Sequence, residues 1–214
     1  QQVSQEKAAD FHERWVLGYG HASVAEHAVL HLAVENISRL DCDALEDNRL
    51  ASYTEKSSRY QVMPKDYFYF PEELADTPDL VQPYSQACKH LFQEYLDFID
   101  ITMDYLRGTR TKGERESDSA YNLRLRRFAT DSCRAVLPAA TLTNVGVTAN
   151  ARVLEHAISK LLSSGLAEER DLGNELAERG REITPTLIKY ADRNPYLADM
   201  PQGQIALISM NLPE

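Results

Sequence analysis

Arg49-Leu50-Ala51-Ser52-Tyr53-Thr54-Glu55-Lys56-Ser57-Ser58-Arg59-Tyr60 is the stretch on which the reading of this chain turns. It sets two arginines, three serines and a glutamate in a short run without glycine. Guanidiniums make bidentate bonds to phosphate and hydroxyls add short donor contacts, so Arg49, Ser52, Ser57 and Arg59 could hold a phosphorylated ligand. Taken alone, the run reads first as a solvated loop whose surface ion pairs contribute little. It is not a glycine-rich phosphate cradle.

Working outward, the flanks are ordered enough to place this run. Residues 4–17 read as a helix with Ala8, Phe11, Trp15 and Val16 along one side. Gly18-Tyr19-Gly20 breaks it, and Ser23 with Glu26 three residues later reads as a capping box. From Val24 to Glu46 propensity is ambiguous: the alanines and leucines suit a helix, while Leu30, Leu32, Val34 and Ile37 allow a half-buried strand near 29–37. Beyond Tyr60, Tyr67 to Phe70 lies between two prolines and reads as extended. Pro78 and Pro83 close this irregular region.

Farther on, Tyr84, Cys88, Leu91, Phe92, Tyr95, Ile99, Met103 and Leu106 recur at helical spacing, followed by a polar loop from Gly108 to Ser117. Ser119 to Val136 predicts another helix, with Tyr121, Leu125, Phe128, Ala129 and Ser132 inward. Arg124, Arg127, Asp131 and Arg134 share a second face. Ala140 to Val147 alternates as a strand does. Asn150-Ala151-Arg152 opens a helix with the stripe Leu154, Ala157, Ile158 and Leu161. A last helix carries Leu172, Leu176, Ile183 and Leu187 inward, with a kink at Pro185. In the tail from Asn194, Ile205 to Met210 reads as an edge strand.

With 214 residues, the chain fits one domain, 1–214, with 194–214 as a tail. Its opening without a recognisable start is what a piece of a longer protein would show. A net charge of −10 excludes bulk nucleic-acid binding, which needs a basic footprint. Attraction of an anion must therefore be local, and Arg107 to Arg134 is a basic island in an acidic chain. Cys42, Cys88 and Cys133 are widely spaced and read as free thiols, Cys133 as a buried structural one. No apolar run reaches the length of a membrane span and no signal-peptide pattern opens the chain, so a cytoplasmic protein is expected. At most His27 and His31 share a helical face, so no metal site is expected. Gly-x-Ser-x-Gly, P-loop and Gly-x-Gly-x-x-Gly motifs are missing from the sequence.

Four polar segments remain, and together they resemble a known family. Gly20-His21-Ala22-Ser23-Val24-Ala25-Glu26-His27 is similar to the Gly-His-x-Ser/Thr-x-x-Glu-His segment of the flavin-dependent thymidylate synthases. Arg49, seven residues, then Ser57-Ser58-Arg59-Tyr60 resembles the second half of their signature. Arg134 to Pro138 and Asn150-Ala151-Arg152 resemble their C-terminal motif pair. The resemblance covers about residues 10–190. It implies an α+β fold, mostly helical with a small antiparallel sheet, with a strand near 29–37 and a helix near 38–48. It also implies a homotetramer that reductively methylates dUMP to dTMP using FAD, methylenetetrahydrofolate and NADPH, with no cysteine nucleophile. By position, His21, Ser23, Arg49, Asn150 and His156 would bind FAD. Ser57, Arg59 and Arg134 would hold the dUMP phosphate and sugar, with Glu55 and Ser57 at the reacting centre.

The departures are as specific as the matches. Where the family has Arg-His-Arg, this chain has Asp47-Asn48-Arg49, which exchanges attraction for repulsion beside a pyrophosphate. Ala44 stands where the family places a glutamine at the nucleotide, and Leu161 where a helix arginine meets the uracil base. The alternative is thus a divergent paralogue that binds flavin or nucleotide without forming thymidylate, or a structural subunit whose arginines make inter-subunit ion pairs.

Overall fold

The ambiguity between Val24 and Glu46 resolves as a strand followed by a helix: β1 is Val29–Ser38 and α2 is Arg39–Glu46, as the family resemblance implies. The structure, a computed structural model, describes residues 4–18 and 22–211. In β1, Leu30 and Val34 are buried at even spacing, yet Ile37 and Ser38 are buried too. The change of face falls at Asn36, whose φ of 60° is left-handed, a region asparagine tolerates better than branched residues. Its amide donates to Asn144 Oδ1 at 2.9 Å, and Tyr67 Oη donates to its Oδ1 at 2.8 Å.

β2 (Ser52–Glu55) and β3 (Leu142–Asn150) complete a small antiparallel sheet of order β1-β3-β2. In β3, Thr143, Val145, Val147 and Ala149 alternate inward, as a half-buried strand should. The extended aromatic segment joins the same region through a bridge between Phe68 and Thr141. The chain divides into two compact units. One comprises Gln1–Val34, Asp41–Thr54 and Gly146–Glu214; the other comprises Glu35–Leu40 and Glu55–Val145. Each of the three strands supplies residues to both.

The second unit is built on α3 (Pro78–Thr109) and α4 (Asp118–Cys133). α3 begins earlier than the sequence suggests, with Pro78 in its first turn, where a missing N–H costs nothing. Its stripe packs with Met63, Leu125, Ala129 and Cys133 in one cluster. Phe92 and Tyr95 are wholly buried, each stabilising by about 1.5–3 kcal/mol. On α4 the inward side is Leu125, Ala129, Thr130 and Cys133. Phe128 is 47% exposed and Ser132 also faces outward, so the predicted stripe was rotated. Arg134–Val136 continue α4 as a short 3-10 turn.

In the first unit, Leu154, Ala157, Ile158 and Leu161 of α5 (Ala151–Leu162) are all buried, as their spacing predicts. α6 (Ala167–Ile183) packs closely on α5 because Gly173 lacks a side chain: a Cβ there would lie 3.1 Å from Leu161 Cβ. Leu172 and Leu176 point inward as expected. α6 stops at Ile183, which is 59% exposed, so Pro185 follows a helix end and makes no kink. Leu187 and Ile188 are buried in the turns beyond it.

Three further expectations fail in this unit. Ile205 to Met210 is part of α7 (Pro195–Asn211), not an edge strand. Its apolar residues lack alternation, which is the physical mark of a strand. Near the N-terminus α1 covers Gln5–His12 and a π-helical turn covers Glu13–Gly18, but Phe11 and Trp15 are largely exposed. The side chain of Val16 lies outside the described residues. Ser23 and Glu26 fall in a 3-10 segment, Ala22–His27, where Glu26 pairs with Arg152 instead of closing a capping box.

Candidate functional site

Two polar sets are built by these elements, one in each unit. In the second unit, the end of the opening stretch folds as a tight turn: Tyr60 and Gln61 donate their amides to the Ser57 carbonyl at 3.3 and 3.2 Å. Ser57 Oγ accepts the Arg59 amide at 3.3 Å. Thr130, fully buried on α4, donates its hydroxyl to the Arg59 carbonyl at 2.6 Å, fastening the turn to the helix. Where α4 ends, Arg134 Nη1 donates to the buried Ser58 hydroxyl at 3.3 Å. Asp131 Oδ1 lies 3.3 Å from Arg59 Nε and 3.1 Å from Arg134 Nε. Ser57, Arg59 and Arg134 therefore come together although up to 77 positions separate them in the chain.

A cavity of about 440 Å³ adjoins this set, lined by Arg59, Tyr60, Arg127, Phe128 and Asp131 among others. Arg127 stacks over the Tyr60 ring at 5.2 Å, a favourable cation–π placement. Glu55, at the end of β2, is held from two sides. Its Oε1 accepts from Arg39 Nη1 at 2.7 Å and from Thr143 Oγ1 at 3.0 Å. A carboxylate so fixed keeps its second oxygen for a ligand hydroxyl or amide. The arrangement suits an anion bearing polar groups.

In the first unit a cleft of about 710 Å³ is lined by Glu26, Asp47, Asn48, Arg49, Leu50, Asn150, Arg152, Val153 and His156. This size is usual for cofactor sites. Three of the predicted cofactor residues, Arg49, Asn150 and His156, meet here. Asn150 is the N-cap of α5, its Oδ1 accepting the Val153 amide at 2.9 Å. Ser23 is exposed on the 3-10 segment and does not line the cleft; His21 lies outside the described residues.

The departures take on physical roles in this unit. Asp47 is paired with Lys160 of α5, whose hydrogen bond and charge pull the Asp47 carboxyl below its usual range. Asn48 is largely buried in the cleft wall and donates its Nδ2 to the Leu45 carbonyl at 2.8 Å, so its amide group closes α2. Leu161 is 1% exposed in the α5 stripe. Glu26 is likewise matched by Arg152. Counting the lining charges with Lys160, three cations (Arg49, Arg152, Lys160) stand against two acids (Glu26, Asp47). The repulsion that Asp47 implies in the sequence is thus offset locally. With Arg49 making no ion pair among the described residues, the cleft's donor set fits an anionic dinucleotide such as FAD.

Against this geometry, the family model described as thymidylate synthase complementing protein matches residues 1–186. The chain belongs to that family. Among curated family relatives, a UPF0159 protein of Chlamydia muridarum (strain MoPn/Nigg) is 34% identical over 192 residues, which are 87% of this chain and 36% of that protein. The chain thus spans about a third of the length of this chlamydial relative. The flavin-dependent thymidylate synthase of Thermococcus onnurineus (strain NA1) is 29% identical over 212 residues, covering 94% of this chain and 76% of that one. Two solved members of the same fold align well. A UMP/dUMP methylase, PolB, from Streptomyces cacaoi bound with 5-Br dUMP has a TM-score of 0.63 at 17% identity, over 89% of this chain and 81% of the other. Thymidylate synthase X from Helicobacter pylori with FAD and dUMP has 0.53 at 19%, over 86% and 84%. At these identities the structural likeness is one of fold.

Several residues of these sets escaped the sequence reading. Lys160 sits 113 positions from Asp47, and Arg39 and Thr143 sit 16 and 88 positions from Glu55, so no local pattern pairs them. Asp131 was visible, three residues before Arg134 on one helix face, but only the fold brings Arg59 to it.

Proposed function

We propose that the chain carries a flavin-dependent thymidylate synthase-like site, acting within residues 1–214 as a single domain and forming dTMP from dUMP by reductive methylation. The observation that carries this reading is the convergence of Ser57, Arg59 and Arg134, from two separate family motifs, into one cluster of donors suited to an anion. Arg59 and Arg134 would bind the phosphate of dUMP, with Ser57 as a further donor near the sugar. Glu55, oriented by Arg39 and Thr143, would accept a hydrogen bond from the nucleotide and keep it in register at the reacting centre.

The three cysteines, Cys42, Cys88 and Cys133, are buried free thiols, which fits chemistry without a thiol nucleophile. Arg49, Asn150 and His156 would hold FAD, and the family resemblance adds His21 and Ser23 to that role. When bound, FAD would carry the methylene of methylenetetrahydrofolate and supply the reducing hydride, with NADPH as its reductant. The family resemblance extends the proposal to a homotetramer in the cytoplasm.

The direct test is dTMP formation by purified protein given dUMP, FAD, NADPH and methylenetetrahydrofolate, alongside rescue of a thymidine auxotroph. Product formation that is lost in Arg59→Ala and Arg134→Ala supports the reading. Binding of dUMP and FAD without product would place the chain with the divergent, non-thymidylate-forming paralogues.

A further inference from the structure

The anion-holding set contains an acid, Asp131, at the point where two cations meet. Arg59 and Arg134 approach the same oxygen of Asp131 through their Nε atoms, at 3.3 and 3.1 Å. Each guanidinium carries five N–H donors, and contact at Nε leaves the terminal groups. Arg134 spends Nη1 on the Ser58 hydroxyl. Among the described residues neither Arg59's terminal nitrogens nor Arg134's Nη2 donate a hydrogen bond to a carboxylate. The Asp131 side chain is about half exposed, at 53%, and so is that of Arg59, at 59%. Exposed pairs of this kind contribute little to stability, so fold maintenance does not account for the arrangement.

An acid within an anion site also works against the ligand unless it does something for the cations. Two guanidiniums held side by side repel one another, and an exposed arginine has several rotamers to lose on binding. A shared carboxylate offsets both costs before the ligand arrives. The surrounding tethers have the same effect on the backbone: Thr130 fixes the Arg59 carbonyl, and Ser57 fixes its amide.

We propose that Asp131 is the positioning residue of a two-arginine clamp, holding Arg59 and Arg134 by their Nε edges so that their terminal N–H groups grip a phosphate dianion. This rests on the reading of Arg59 and Arg134 as phosphate ligands, but it concerns phosphate recognition and not the methylation that follows. The clamp adjoins the cavity lined by Tyr60, Arg127 and Phe128, so a phosphate monoester that also carries a planar base fits it better than free phosphate does.

Calorimetric titration of the whole chain with dUMP and, separately, inorganic phosphate tests this in the wild type, Asp131→Asn, Asp131→Glu and Arg134→Ala. The clamp predicts that Asp131→Asn weakens dUMP about tenfold, the loss of roughly one charge-assisted contact, although the substitution makes the site more positive. Asp131→Glu should return most of that loss, and the melting temperature of Asp131→Asn should stay near wild type. Equal or tighter dUMP binding by Asp131→Asn overturns the proposal, since Asp131 would then be a competitor of the ligand. So does Asp131→Glu binding no better than Asp131→Asn, or a wild type that binds neither anion. Phosphate binding that follows the predicted order, without dUMP binding, upholds the clamp and removes the thymidylate reading instead.

Discussion

The first unit and the second handle charge in opposite ways. Around α2 and α5 the acids are the residues that need managing. Asp41 is buried, with Glu168, Glu169 and Asp171 near enough to raise its pKa further; Asp47 is paired with Lys160 and Glu26 with Arg152. Around α4 the cations converge, and one acid, Asp131, serves two of them. The same signature motif runs through both regions. Its first part, Asp47-Asn48, has diverged and been absorbed into local structure, while its second part, Ser57 to Arg59, is brought together with Arg134 and Asp131. An acid introduced into such a motif is thus matched by a cation from a distant helix, Lys160.

The largest expected effect lies on the acidic side. Burial first, then the charges of Glu168, Glu169 and Asp171, raise Asp41 from 3.8 to about 7. A carboxyl raised by folding is favoured in its protonated form, so its stabilising contribution is complete below pH 4 and is lost as pH rises through 7. Asp41→Asn should abolish that slope, with a gain of up to about 4 kcal/mol at pH 8 relative to the wild-type trend. Urea unfolding at pH 5 and pH 8 measures it. Identical slopes in both proteins would show that Asp41 is not a buried acid of this kind.

Next in size is the cationic side. Arg134→Ala should weaken dUMP by about ten- to a hundredfold, the worth of a charged hydrogen-bond pair, while leaving FAD binding unchanged. Loss of both ligands together would blur the contrast between the two regions. Asn48→Ala should cost about 1–2 kcal/mol in thermal unfolding, because it strips the Leu45 carbonyl of a buried donor at the end of α2. No measurable cost would mean that Asn48 faces a ligand after all. The smallest effect is the compensation itself. Lys160→Ala should weaken FAD about three- to fivefold by leaving Asp47 unmatched in the cleft, and Asp47→Asn added to it should restore binding.

How much of this was legible in the sequence depends on how local the cause is. The α5 stripe, the alternation of β3 and the long α3 helix each follow from spacing within one element, and all three form, with α3 starting at Pro78 and β3 running from Leu142 to Asn150. The strand at Val29 needed the family resemblance, since Leu30, Leu32 and Val34 suit two periods at once. Ile205 to Met210 misled because a short apolar run carries no period, and it is helical. Rotation of the α4 stripe had the same root: Phe128 is hydrophobic but stands beside a cavity, where an aromatic face serves as a wall. At the site, the residue types were readable and the pairings were not. Nothing in Asp47 announces Lys160, and nothing in Glu55 announces Arg39 and Thr143.

The central claim is that the diverged first part of the motif still belongs to a flavin site while the second part holds the nucleotide. The visible absorption spectrum of the purified chain, titrated with FAD and then with dUMP, tests it most directly. The account predicts a flavin band that stays with the protein through gel filtration and shifts when dUMP is added. A chain that retains no flavin band after FAD is supplied would contradict it.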